Sequence, residues 1–226
     1  MQQSNIFLTV DAVVFGYEPP SNLSLLLIKR AVNPFKDSWA LPGGFVKENE
    51  SLEQAVEREL KEETGIAVDY LEQLYSFGNP KRDPRARIVS ISYFGLTKPD
   101  ALQLNATTDA LEAKWFNIDQ LPSLAFDHES IIHKAIDRLR AKITYEPIGF
   151  ELLNEKFSFS ELENLYSTLL GRPIDRRNFR KKVLSFGLLE QLGEQRKDGP
   201  GRPATLFRFD VDKYRSYQEK GLFFEL

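Results

Sequence analysis

The stretch from Gly44 to Ile66 constrains this chain more than any other. It opens on the pair Gly43-Gly44, places Glu50 a few residues on, and then runs Arg58-Glu59-Leu60-Lys61-Glu62-Glu63-Thr64-Gly65. Ser51 and Gln54 have the spacing of a capping box, and Leu52, Val56 and Leu60 recur at helical intervals. Gly65 stands where a helix needs a left-handed terminator. The pattern predicts a helix over 51–64. Glu59, Glu62 and Glu63 lie at i, i+3 and i+4 and so project from one face of it. Three carboxylates there repel one another unless a cation holds them. Magnesium (or manganese), a hard ion that takes oxygen ligands and shares them with phosphates, suits the set. Arg58 reaches Glu50 or a helix carboxylate with its planar fork, and Gly44 leaves room for a backbone carbonyl to approach the metal. The expected metal set is Gly44, Glu59, Glu62 and Glu63. Arg58 and Glu50 complete the machinery that is catalytic if the site turns its ligand over.

Composition removes most rivals. The chain has no cysteine, which excludes disulfides, thiolate metal sites and cysteine nucleophiles, and only two histidines, His128 and His133. The chemistry falls to carboxylates, backbone and basic groups. No stretch approaches the roughly 18 apolar residues of a membrane span, and no basic-then-apolar leader opens the chain. A cytoplasmic protein without a membrane partner is expected.

Read in order, 5–17 and 24–31 are strands separated by a turn, and 39–44 is a loop that brings backbone close to something. After the helix come strands at 72–77, 88–97 and 113–118, then a helix over 128–142. Such mixing indicates an α/β layered domain over 1–145. The remainder, 146–226, reads as helices over 146–153, 158–170 and 176–186, the last capped by Asp175, and strands over 188–192 and 204–209 joined by a Gly- and Pro-rich loop. Three helices and a basic hairpin make a winged helix-turn-helix. Charge supports the division: 1–146 carries 16 basic against 21 acidic residues, whereas 172–208 carries 10 against 4. On the third helix Phe179, Val183 and Phe186 share a face. That turns Arg176, Arg177, Asn178, Arg180, Lys181 and Lys182 towards solvent, and the wing adds Arg196, Lys197 and Arg202. These nine residues are the expected DNA contacts, with Arg202, held between Gly201 and Pro203, suited to a minor groove.

The segment Gly44–Ile66 matches the Nudix box, G-x5-E-x7-R-E-U-x-E-E-x-G-U, at every fixed position. The chain as a whole resembles the Nudix-related transcriptional regulators of NAD metabolism in bacteria. The residues that carry this resemblance are Ser38-Trp39-Ala40-Leu41-Pro42-Gly43-Gly44, Gly78-Asn79-Pro80-Lys81-Arg82-Asp83-Pro84-Arg85, Leu124-Ala125-Phe126-Asp127-His128, Glu146-Pro147-Ile148-Gly149-Phe150, and Arg177-Asn178-Phe179-Arg180 with Gly201-Arg202-Pro203-Ala204. The resemblance implies a Nudix α/β/α sandwich followed by a smaller winged helix-turn-helix domain. It also implies a homodimeric repressor of NAD biosynthesis or salvage genes, which binds a palindromic double-stranded operator and leaves it when ADP-ribose binds. Arg30, Gly43, Gly44, Lys81, Arg82, Arg85 and Glu112 are the expected ligand contacts, with Glu112 also a candidate base or extra metal ligand. The intact box leaves an ADP-ribose pyrophosphatase with an accessory domain as the alternative. A sensor with weak or absent hydrolysis is the reading favoured here, because a hydrolysed signal reports nothing for long.

Overall fold

The computed structural model describes residues 5–68, 70–99, 110–197 and 202–220. Gly201 of the wing lies outside them. Two compact units result, one of Met1–Glu18 and Leu23–Asp137, the other of Pro19–Asn22 and Arg138–Leu226.

In the first unit, strand β1 (Phe7–Glu18) is almost continuously apolar and is buried from Thr9 to Tyr17. A strand covered on both faces reads this way. It runs parallel to β6 (Ile88–Thr97), with Val10 opposite Ile91. Strands β2 (Asn22–Arg30), β3 (Trp39–Ala40), β4 (Gly43–Phe45), β5 (Tyr70–Phe77) and β7 (Ala110–Asn117) complete the sheet. The order is β3-β2-β1-β6-β5, with β4 paired to β1 and β7 to β2. The expected loop over 39–44 is thus two short strands, because its backbone finds partners on β2 and β1.

Helix α1 (Leu52–Thr64) forms as its caps dictate: Ser51 accepts from the Gln54 N–H, Gln54 returns the bond, and Gly65 closes the helix at φ 76°. Ala55, Val56 and Leu60 pack with Val10, Ala12 and Val14 of β1. Successive strand residues point to opposite faces, so Asp11 projects from the other side of the sheet. There it meets His128, the first residue of α2 (His128–Lys142). Helices therefore approach β1 from both faces, as an α/β/α sandwich requires.

The second unit centres on Phe157, Leu162, Leu165, Tyr166, Phe179, Val183 and Phe207, all buried. Helix α3 (Phe159–Leu170) starts on a second capping box, Ser158 with Glu161. Helix α4 (Arg176–Phe186) starts on the Asp175 carboxylate and stops at left-handed Gly187. Strands β8 (Phe157–Ser158), β9 (Leu189–Arg196) and β10 (Ala204–Phe209) form a small antiparallel sheet in the order β8-β10-β9. One expectation fails: residues 146–153 hold only a single 3-10 turn, Phe150–Leu152. Pro147 lacks an N–H and Gly149 is a poor helix former, so a segment this short does not propagate an α-helix. Helix α5 (Val211–Glu219) was not expected; its apolar spacing is sparse, with only a few weakly apolar positions.

Candidate functional site

The site is built where β4 lies against β1, with Val10 opposite Gly44 and Asp11 opposite Gly43. Both glycines are demanded by close approach. A Cβ on Gly43 would sit 2.1 Å from the Val10 carbonyl oxygen, and one on Gly44 2.3 Å from Oε1 of Glu59. The Gly43 N–H donates to Oε2 of the buried Glu63 at 2.8 Å. Helix α1 and the short strand are thereby tied at the face that carries the three glutamates.

Arg58 organises that face. Its Nε and Nη2 donate to the two oxygens of Glu50 at 2.8 and 2.7 Å, while Nη1 donates to Glu59 at 2.7 Å and Glu62 at 3.1 Å. Nη2 also reaches the Phe45 carbonyl at 3.1 Å. Hydrogen bonding by Arg58 holds the Glu50 carboxyl down at about 2, and the same contacts raise the guanidinium above its ordinary value. Burial pushes the Glu59 carboxyl up against the pull of Arg58. A second cation beside Glu59 relieves that cost.

Among the described residues no group of three or more carboxylate or histidine side chains is placed to hold a metal ion. A hard divalent cation at this face is an expectation carried by the sequence pattern. Its donors would be carboxylate oxygens of Glu59, Glu62 and Glu63 and the backbone of Gly44, where the missing side chain leaves the space that Glu59 fills. When bound, such an ion supplies positive charge to offset a diphosphate. Glu59 and Glu62 share their oxygens with Arg58, so Arg58 sets where the cation would be held.

Behind this face lies a network outside the box. Asp11, a carboxylate flanked by apolar Val10 and Ala12 in the buried part of β1, accepts a very short hydrogen bond from Ser90 Oγ. Arg82 Nη2 lies 3.4 Å from the same carboxylate and grips Asp127 at 2.7 and 3.0 Å. His128 is buried, and burial pulls its pKa below the ordinary value against the attraction of Asp11. Its Nδ1 accepts from the Leu41 N–H at 2.8 Å, so the proton of the neutral ring sits on Nε2, 3.6 Å from Asp11. The sequence pattern assigns no site role to Asp11, Ser90, Asp127 or His128, although Asp127 and His128 lie in a stretch that carries the family resemblance. The signal was a lone carboxylate at position 11 amid Thr9-Val10 and Ala12-Val13-Val14.

Of these groups Asp11, Arg82 and His128 line a cavity of about 370 Å³ together with Arg30, Gly43, Gly44, Phe45 and Arg85. Arg85 is clamped by Asp83 at 2.7 Å and lies over the rings of Phe45 and Phe126, 5.2 and 5.6 Å from their centres. Burial raises the Asp83 carboxyl, but the hydrogen bonds from Arg85 outweigh it and leave the group below its usual range. Arg30 stands over Phe126 at 4.9 Å. Three expectations need correction. Glu112 is exposed on β7 opposite Lys29 and does not line the cavity. Lys81 lies in a neighbouring cavity. Arg82 lines the site but is buried and committed to Asp127 and Asp11, because a desolvated guanidinium requires carboxylate partners.

In the second unit, Arg176, Arg177, Asn178, Arg180, Lys181 and Lys182 are all exposed on α4, opposite buried Phe179 and Val183. Lys197 and Arg202 are exposed at the two ends of the wing. Several are restrained: Arg180 stacks on Phe159 at 4.4 Å, Arg176 lies 3.8 Å from Glu163, and the Asn178 amide donates to Asp175. Arg196 departs from expectation. It is half-buried and donates to Glu161 at 2.6 Å, tying the wing to the first turn of α3.

The comparisons agree with this division. The NUDIX domain family matches residues 7–139, and the NrtR DNA-binding winged helix domain matches 149–209. The chain is 36% identical over 211 residues to the ADPR responsive transcriptional repressor NtrR of Acinetobacter baylyi, covering 92% of this chain and 83% of that one. It is 48% identical over 132 residues to the ADP-ribose pyrophosphatase of Methanocaldococcus jannaschii, covering 58% and 76%. Shewanella oneidensis NrtR complexed with a 27mer DNA superposes with a TM-score of 0.78 at 39% identity, over 92% of this chain and 95% of that one. The NUDIX domain of the same protein, complexed with ADP ribose, superposes at 0.56 and 39% identity, over 61% and 90%. With both halves matched in order and nearly end to end, the chain belongs to the NrtR family of Nudix-related transcriptional regulators.

Proposed function

We propose that this protein is a repressor of NAD biosynthesis or salvage genes whose Nudix domain binds ADP-ribose with a divalent cation and thereby releases DNA. One observation carries the reading: a single chain joins a carboxylate- and arginine-lined cavity to an exposed basic helix and wing. Its relative from Shewanella binds DNA and ADP ribose. In this reading Arg30 and Arg85 meet the diphosphate, and Glu59, Glu62, Glu63 and Gly44 hold magnesium or manganese. Arg177, Lys181, Lys182 and Arg202 meet the operator, aided by Arg176, Asn178, Arg180 and Lys197. The functional boundary falls at 145/146, within the interval between the two family matches. A palindromic operator requires two half-site readers, hence a homodimer.

Hydrolysis is the second reading, favoured by the complete box and the pyrophosphatase relative. A general base must reach the attacking water. Glu112 stands outside the cavity, and Asp11 and His128 are buried against each other. This supports sensing with weak turnover. Calorimetric titration of ADP-ribose with magnesium, followed by assay for AMP, separates the two. Binding with little AMP is expected. Rapid AMP release that Glu63→Gln abolishes would establish the enzyme instead.

A further inference from the structure

A cavity of about 520 Å³ lies beside α4, and its described lining residues all belong to the second unit. Asn178, Lys181, Lys182 and Ser185 line it from α4, at spacings that put them on one flank of the helix. Leu170, at the end of α3, and Ile174, in the turn before α4, are half-buried and add apolar wall. Phe179 and Tyr166 also line it, their ring centres 5.0 Å apart. The buried Tyr166 hydroxyl has no hydrogen-bond partner among the described residues, which leaves the lining with an unused donor.

Charge narrows what such a cavity takes. Arg172, Lys181 and Lys182 face the single carboxylate of Asp175. That carboxylate is already committed to the start of α4, accepting from the Asn178 N–H at 3.0 Å and from the Asn178 amide at 2.8 Å. The three cations form no salt bridge among the described residues. An exposed basic helix needs no apolar cavity at its flank to meet DNA phosphates. Apolar walls with a few convergent polar groups, at this volume, suit a small molecule. Cations at the edge require that molecule to be an anion, and an aromatic floor favours a ring.

We propose that this cavity is a second ligand site, separate from the glutamate face, and that it takes a small aromatic acid. The ring lies among Phe179, Leu170 and Ile174, and the carboxylate meets Lys181 and Lys182. Because these two lysines are also expected to meet the operator, a bound acid draws them from the phosphates and weakens DNA binding. The site stands on geometry and charge alone, whereas its effect on DNA rests on the repressor reading.

The full chain is titrated by calorimetry with 2-naphthoate, with its uncharged counterpart 2-naphthalenemethanol, and with acetate. Saturable binding of naphthoate, about tenfold weaker binding of the alcohol and none of acetate are expected, as the loss of a charged partner implies. Replacing both lysines, Lys181→Gln with Lys182→Gln, is expected to cost naphthoate a similar factor; both are exposed, so the fold survives. Leu170→Trp fills the cavity and is expected to abolish naphthoate binding, whereas Leu170→Met keeps it. Thermal melting of each variant controls for folding. In a gel shift, saturating naphthoate, against equal acetate, is expected to lower wild-type operator affinity about fivefold or more and to leave that of Leu170→Trp unchanged. Naphthoate that does not bind, that binds no better than the alcohol, or that binds folded Leu170→Trp as tightly as the wild type overturns the site. Unchanged operator affinity with naphthoate bound overturns its link to DNA. A wild-type chain that shifts no operator contradicts the repressor reading instead, and calorimetry still decides the site.

Discussion

At the scale of single residues, the site depends on how carboxylates are compensated. Arg58 uses a fork of donors on three glutamates and one carbonyl, a geometry a lysine ammonium cannot copy. Arg58→Lys is expected to cost about 1–3 kcal/mol in chemical denaturation, the usual range when partly buried polar groups lose partners, and to weaken ADP-ribose binding. Unchanged values for both would remove Arg58 from its assigned role. His128 makes a pH prediction. Burial holds its folded pKa below the ordinary value of 6.5, so the unfolded chain takes up the proton first as pH falls. The stability it contributes is complete above about 6.5 and lost on acidification below that. Comparing stability at pH 8 and pH 5.5, His128→Gln should flatten the wild-type decline; an identical decline would mean other groups set it. Glu50 acts in the same direction at lower pH, losing its contribution between 4.5 and about 2. The box residues were legible because their spacing is local. Asp11, Ser90, Arg82, Asp127 and His128 come from four separate segments, and only folding shows that Arg82 serves carboxylates of the protein rather than a ligand.

At the scale of elements, local rules decide most of what forms. The two capping boxes at Ser51 and Ser158 start α1 and α3 at the positions their sequences indicate, and Gly65, Gly171 and Gly187 end α1, α3 and α4 in left-handed conformations. Ser158→Ala should cost about 1 kcal/mol, as N-cap losses usually do. The expectations fail where local rules conflict or are weak. Pro147 favours a helix start, but Gly149 two residues on withholds propensity, and α5 lacks a clear apolar stripe. Strand β4 exists only through its pairing with β1, which no local pattern announces. Its closeness carries a prediction. Gly44→Ala sets a methyl group within the space of Glu59, so ADP-ribose affinity should fall sharply while the melting temperature changes little. Retained affinity in calorimetry would show that Glu59 moves aside without consequence.

At the scale of the whole molecule, the chain divides its work by charge. An acidic part holds the metabolite and a locally basic part faces DNA, a separation readable from the counts of Lys, Arg, Asp and Glu alone. Arg177→Ala and Arg202→Ala should therefore abolish operator binding, or weaken it by about 1–3 kcal/mol where a base contact is lost, without changing ADP-ribose affinity. Parallel loss of both in calorimetry and gel shift would mean that the substitutions act through folding. The central claim is that one ligand site governs the other. Its most direct measurement is a gel shift of the DNA upstream of the protein's own gene, at fixed salt, with ADP-ribose titrated in. A retarded band that disappears as ADP-ribose rises is the predicted result. A band that persists at saturating ADP-ribose, under conditions where calorimetry shows the ligand bound, would contradict the account.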